Sequence, residues 1–186
     1  MKQLVLVALG LLTACGTLGG TPLDFSGVVV LDAPSQQMML KAVNDARAVP
    51  RNCKKEMGGT TAFPAAPAVK LQNKLSLAAQ YHAQDMVKMG ALNHTGSRGD
   101  QTQDRIRAAG YSFDEVGENL AVVTSNTALA LQKTIEAAIQ AWLDSSAGHC
   151  QTLMDAQYTE LGVGFAENAS SADRYYWVQV FGNPSK

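Results

Sequence analysis

Glu160-Leu161-Gly162-Val163-Gly164-Phe165-Ala166 and, after a turn cluster from Asn168 to Asp173, Tyr175-Tyr176-Trp177-Val178-Gln179-Val180-Phe181 decide the fold. The first run alternates loosely and is rich in glycine. The second is aromatic and β-branched. Two such runs around a short polar turn read as an antiparallel hairpin. The chain before them reads mainly as helix and loop. That segregation argues for one α+β domain, a small antiparallel sheet covered by helices.

Working back from the hairpin, a turn or short helix spans about His149 to Met154. Before it, Thr127 opens a helix with Leu131, Ile135, Ala138, Ile139 and Trp142 on its apolar face, stopping near Ser145. Tyr111 to Ala121 reads as irregular to extended. Asp100 is placed to cap a short helix carrying Ile106 and Ala109, closed by Gly110. Asn93 to Gly99 is a polar loop around His94. Leu75, Ala78, Ala79, His82, Met86 and Met89 recur at helical spacing up to Gly90, a good C-terminal stop. Arg51 to Val69 turns to Gly, Thr, Ala and Pro and reads as a long loop holding Cys53. Ser35 is placed to cap a first helix to about Val49, with Pro50 beyond it.

The N-terminus has a different character. Met1-Lys2 is followed by an apolar run from Leu4 to Leu12, too short to span a bilayer, and then by Leu12-Thr13-Ala14-Cys15. This is the pattern of a bacterial secretory signal with small residues before the cut. A cysteine just after the cut resembles a lipoprotein lipobox, which implies a diacylglycerol on the Cys15 thiol and an acyl chain such as palmitate on its freed amine. The alternative is a plain signal peptide with an incidental cysteine. On the lipoprotein reading residues 1–14 are removed, 15–34 form a tether, and 35–186 form the domain. The protein is then exported and held on a membrane by its lipid, facing the periplasm or the cell exterior.

Composition narrows the classes further. With 186 residues and 46% hydrophobic side chains the chain is long enough and apolar enough for one folded domain. The formal net charge of −1 supplies no drive toward nucleic acid, so no nucleic-acid partner is expected. Of three cysteines, lipid on Cys15 leaves Cys53 and Cys150 as either one pair or two buried thiols, and an exported protein meets an oxidising compartment.

No local catalytic motif is present. A Gly-rich phosphate loop, a Cys-x-x-Cys, a His-Glu-x-x-His and a Gly-x-Ser-x-Gly elbow are all missing. Any site is therefore assembled from distant segments. His82, mid-helix beside the apolar stripe, reads as a packed histidine. His94 lies in a polar loop, where functional side chains concentrate. His149 follows Gly148 just after a helix, which also suits an ordinary surface histidine. Glu118 enters an apolar segment, where a carboxylate needs hydrogen bonds, a cation or a metal.

Taken in order, these residues resemble a family. Leu92-Asn93-His94-Thr95-Gly96-Ser97, Arg105 with Ala109-Gly110-Tyr111, and Gly117-Glu118-Asn119-Leu120 are similar to motifs of the CAP superfamily. This is the SCP-domain family of cysteine-rich secretory proteins, antigen 5 and pathogenesis-related proteins. Trp142-Leu143-Asp144-Ser145, Gly148-His149-Cys150-Gln151-Thr152-Leu153-Met154, Thr159-Glu160-Leu161-Gly162-Val163-Gly164 and Tyr176-Trp177-Val178-Gln179 continue the resemblance over about residues 36–181.

The resemblance implies a three-layer α-β-α sandwich and a cleft lined by His94, Glu118 and His149. A second family glutamate is replaced here by Ser145, so the full acidic set is absent and the transfer of metal binding or hydrolysis weakens. The bacterial branch also implies a Cys53–Cys150 disulfide.

Three functions follow as alternatives. The first is a binding module for a lipid, another envelope ligand or a protein partner, with His94, Glu118, Ser145 and His149 in its cleft. Met86, Met89, Tyr111 and Phe113 are candidates for an apolar groove beside them, although methionines at helical spacing also suit a core. The second is a metal-assisted hydrolase, with zinc or another divalent cation held by His94 and His149. In it, Ser145 or Ser97 is a nucleophile only if a histidine lies within hydrogen-bond reach. The third is a structural envelope protein whose polar cluster sets packing.

Overall fold

The computed structural model describes residues 22–186. The expected secretory signal and the expected lipidation residue, Cys15, lie outside the described residues. Five helices and six strands follow in the order α1 (Ala33–Arg47), β1 (Arg51–Lys54), β2 (Thr60–Phe63), β3 (Lys70–Leu71), α2 (Asn73–Met89), α3 (Thr102–Ala108), β4 (Phe113–Thr124), α4 (Leu131–Asp144), α5 (His149–Met154), β5 (Glu160–Glu167) and β6 (Asp173–Pro184).

The expected hairpin is β5–β6, with Leu161 opposite Phe181 and Val163 opposite Gln179. It is the centre of a four-stranded sheet of order β3-β5-β6-β4. The segment read as irregular to extended is the long edge strand β4. The sheet is antiparallel except for β3, two residues that pair parallel with β5.

Alternation along β6 builds three layers. Trp177 and Phe181 face α1, α4 and α5, where they meet Met39, Val43, Ile135, Trp142 and Leu153. Tyr176, Val178 and Val180 face α2 and α3, where they meet Leu75, Ala79, Met86 and Ile106. Both faces of the strand are buried, so its pattern is a continuous apolar run rather than polar–apolar alternation. The glycines of β5 have a packing cause. A Cβ on Gly162 or Gly164 would fall inside the backbone of α2 at Leu75–Ser76 or Ala79–Gln80. Helix and sheet backbones therefore touch without an intervening layer of side chains.

Several local expectations are corrected. Asp32, not Ser35, caps α1; its carboxylate accepts the Ser35 N–H at 2.8 Å. Gln101 replaces Asp100 as the cap of α3, because the Asp100 carboxylate is taken by Arg105. Helix α4 begins at Leu131, because Thr127 is held in a turn by the Ser125 side chain and Leu129 N–H is taken by the Tyr175 hydroxyl. The stretch from Arg51 to Val69 is not all loop; β1 and β2 form a hairpin turning at Gly58 and Gly59, both at positive φ. It is tied down by the Cys53–Cys150 disulfide, whose cysteines are both buried.

Arg47, fully buried, fastens α1 to this region. Its guanidinium donates to the carbonyls of Pro67, Leu153, Asp155 and Tyr158. Ahead of α1, Phe25 packs its ring against Tyr81 at 5.0 Å and Leu31 packs on the core. No helix among the described residues is long and apolar enough to cross a membrane.

Candidate functional site

The site gathers on edge strand β4. Past the register shift at its start, its odd residues face the α4–α5 layer and its even residues face the α2–α3 layer, so groups from both layers meet around this edge. Glu118 points to the α3 side, with its side chain only 2% exposed. It is the hub of the cluster. Oε1 accepts from Thr102 Oγ1 at 2.8 Å and from His94 Nδ1 at 2.8 Å. Arg105 donates to both carboxylate oxygens, at 3.1 and 2.9 Å.

Arg105 is itself buried and bridges two acids. Its other nitrogen donates to Asp100 Oδ2 at 2.9 Å and to the Asp100 carbonyl at 3.1 Å. A further bond to the His94 carbonyl at 3.0 Å ties the loop to α3. Burial alone would raise the Glu118 carboxyl. The His94 hydrogen bond and the Arg105 charge outweigh it and hold the group below the usual carboxylate range.

The loop that carries His94 is held at both ends. Before it, buried His82 donates from Nε2 to the Asn93 carbonyl at 2.8 Å. Burial is the main reason that the His82 imidazole is pushed down and stays neutral. After it, Ser97 donates its hydroxyl to Asp85 Oδ1 at 2.6 Å and its N–H to Oδ2 at 2.7 Å. Ser97 is therefore a loop anchor bonded to an acid, and is removed from the candidate nucleophiles. Its loop holds the His94 side chain about half exposed, at 54%.

His149 approaches from the other layer, at the start of α5. Gly148 precedes it at φ +92, a left-handed turn that glycine adopts without strain. His149 Nδ1 lies 2.9 Å from Ser145 Oγ, which also accepts the Ala147 N–H at 3.0 Å. Asn119, beside Glu118 but on the opposite face, donates to the His149 carbonyl at 3.1 Å. Burial lowers the His149 pKa and the nearby His94 charge lowers it further, so the two histidines sense each other across the edge.

The sequence candidates thus fall into two bonded pairs, His94–Glu118 and His149–Ser145. Asp144 instead accepts from Gln140 and lies near Lys54. The expected apolar groove is not formed as proposed. Met86 is in the core and Met89 packs against it, whereas Tyr111 and Phe113 line a shallow groove with Arg107, Gly110, Ser112 and Ser185.

Arg105 and Thr102 had no role in the site assigned from sequence, and Asp100 was expected only as a helix cap. The traces of Arg105 were its place in a family-like motif with Ala109-Gly110-Tyr111 and its position beside Ile106 on the buried side of a short helix.

As metal ligands the residues fit poorly. His94 and His149 each have Nδ1 engaged, which leaves two Nε2 atoms. Glu118 is committed to Arg105, Thr102 and His94. No group of three or more His, Cys, Asp or Glu side chains able to hold a metal occurs among the described residues. Catalytic zinc sites use three protein ligands, so the set does not fit a resident zinc.

Comparison with known proteins agrees with this architecture. Residues 40–181 match the family CAP, "Cysteine-rich secretory protein family". The uncharacterized protein YkwD of Bacillus subtilis is 28% identical over 113 residues, 61% of this chain and 38% of YkwD. The chain spans 38% and 24% of the lengths of two curated relatives that it matches. A solved extracellular protein of Bacillus anthracis containing an SCP domain superposes with a TM-score of 0.51 at 27% identity, over 63% of this chain and 34% of that one. An outer surface protein of Borrelia burgdorferi shares the fold, with a TM-score of 0.60 at 16% identity, over 85% of this chain and 99% of that one. A match over residues 40–181, together with two histidines and the glutamate of the Gly-Glu-Asn motif on one strand edge, makes this chain a member of the CAP (cysteine-rich secretory protein) family.

Proposed function

We propose that the chain is an exported, lipid-anchored binding module whose cleft along β4 holds a ligand or partner of the cell envelope. The observation that carries this reading is the division of labour in the cluster. Glu118 is saturated by Arg105, Thr102 and His94, while the His94 ring stands half exposed above it. A carboxylate so occupied is a poor general base, because its lone pairs are already shared and its basicity is lowered. It is well suited to fix the tautomer and direction of an imidazole that presents Nε2 to a ligand.

The hydrolase reading draws support from the Ser145–His149 contact. It lacks an acid that orients the histidine, and no hydrogen bond to His149 Nε2 occurs among the described residues. The structural reading accounts for buried Arg105 and Asp100 but leaves the exposed His94 without a role.

Export is supported by the Leu4–Leu12 run before Ala14-Cys15, and by the buried Cys53–Cys150 bond, which belongs in an oxidising compartment. The likeness to an extracellular SCP-domain protein points the same way.

The test has two arms. Cys15→Ser should move the protein from the membrane to the soluble fraction; retention on membranes refutes the anchor. For the cleft, native mass spectrometry of protein purified from its own envelope should find a bound species in the wild type that is lost from the His94→Ala, His149→Ala double variant. Equal occupancy in both, or hydrolysis of a generic ester that depends on Ser145, refutes the binding reading.

A further inference from the structure

The outer side of β5, beyond its short pairing with β3, and the edge strand β4 are finished differently. On β5, Leu161, Val163 and Phe165 turn their main-chain groups away from β6, and each residue finds a partner for at least one of them. Gln72 N–H donates to the Leu161 carbonyl at 2.9 Å, and Val163 N–H donates to Ser76 Oγ at 3.2 Å. The Gln80 amide takes both groups of Phe165, at 3.1 and 2.7 Å. Past the two residues of β3, helix α2 thus stands in for a strand along the rest of β5.

An antiparallel ladder alternates inward and outward residues, so this parity carries across β6 to the far edge. Gly162 and Gly164 face β6, Gln179 and Phe181 face β4, and Val116, Glu118, Leu120 and Val122 turn their main chain outward. The Leu120 carbonyl accepts from Trp142 Nε1 at 2.8 Å, as an outward group would.

Among the described residues no hydrogen bond reaches the N–H or carbonyl of Val116 or Glu118. The Glu118 side chain is 2% exposed while the residue as a whole is partly exposed, so its open atoms are main chain. One edge is closed by a helix. The other is left open beside the His94–Glu118 pair.

We infer that Val116 to Glu118 is a docking edge for an extended peptide, which adds to β4 as a short strand in the cleft between His94 and His149. The inference rests on the binding-module reading and names the ligand class of its cleft. Two donors and two acceptors repeat here at the two-residue spacing of a strand, about 7 Å. Another extended main chain matches that repeat. An acyl chain has no groups to satisfy it, and sugar hydroxyls do not repeat in that order. Trp142 closes the edge at Leu120, so the open stretch has room for a short free strand. It is too short for sheet-to-sheet pairing of two folded copies. Alternate side chains of the peptide face His94 and Thr102 on one side and His149 and Ser145 on the other.

The test uses the full chain in mild detergent and a random library of peptides about ten residues long. The tightest binder is resynthesised with each peptide nitrogen methylated in turn. Methylation at alternate positions should weaken binding about tenfold or more and leave the intervening positions within about twofold. Val116→Pro removes one outward N–H at an edge position where proline is tolerated. It should weaken binding about tenfold with the circular dichroism spectrum retained.

Absence of any binder tighter than about 1 mM overturns the inference, as does a methylation pattern without alternation. Binding that proceeds only with dimerisation in sedimentation also overturns it. A lipid or glycan recovered from the cleft, with no peptide binding, overturns the peptide assignment and leaves the binding-module reading standing. An empty cleft with no peptide binding overturns both.

Discussion

Arg105→Met is the sharpest perturbation of the cluster, because it removes the one cation between two buried acids and keeps the side-chain volume. The wild-type guanidinium makes bonds of 2.9 Å to Asp100 and 2.9 and 3.1 Å to Glu118, with all three side chains at most 6% exposed. Breaking a buried pair by deleting one partner costs about 3–5 kcal/mol, because the remaining charge stays desolvated. For a domain of this size that lowers Tm by roughly 6–20 °C at pH 7.

The pH dependence separates this cause from lost packing. In the wild type the Glu118 carboxyl is depressed, so its stabilisation is complete above the ordinary carboxylate range and is lost as pH falls through the lowered folded value. In the variant two of the forces lowering it are gone, and burial, the largest opposing force, pushes it up. The variant is then penalised while Glu118 is charged and relieved as pH falls through the raised folded value. The gap between the two proteins should therefore narrow from pH 7 toward pH 4. Thermal and urea melts of the disulfide-bonded protein across that range give the answer. A gap that is constant with pH, or below about 1 kcal/mol at pH 7, would refute the charge argument.

Other consequences are open to direct measurement. Gly164→Ala drives a Cβ into the Ala79 carbonyl of α2, so the helix must move and stability should fall by about 1–3 kcal/mol or more in urea melts. Replacing Cys53 and Cys150 by serine opens a loop with a sequence separation of 97 residues. The chain-entropy estimate puts that loss at up to about 4.7 kcal/mol, and an unchanged Tm would contradict it. In His94→Ala the His149 imidazole should titrate at higher pH than in the wild type, because the nearby His94 charge is gone; NMR titration of the ring protons reads the shift. Arg47→Met leaves four carbonyls without their donor and should destabilise by about 3 kcal/mol or more, with no change in the His94–Glu118 contact.

How much was readable in advance depends on the range of the interaction. Helices α2 and α4 were visible because their apolar residues recur at a local period, and the β5–β6 hairpin because its turn is local. The caps failed at Ser35, Asp100 and Thr127. In each case a neighbour competed for the same backbone or carboxylate, and residue preference cannot rank such competitors. The β1–β2 hairpin was hidden by a Gly- and Pro-rich composition, since its pairing is stabilised by a disulfide to a helix far along the chain.

The site divides along the same line. Its residue types and order, His94, Glu118, Ser145 and His149, were present in the one-dimensional string, and the motifs around them pointed to the family. The string could not say that Arg105 saturates Glu118, that Ser97 belongs to Asp85 rather than to a histidine, or that β4 ends the sheet with Val116 and Glu118 uncovered. Periodicity reports which face of an element is apolar. Hydrogen-bond ownership and open edges depend on which distant elements arrive beside it, and only the packed chain decides that.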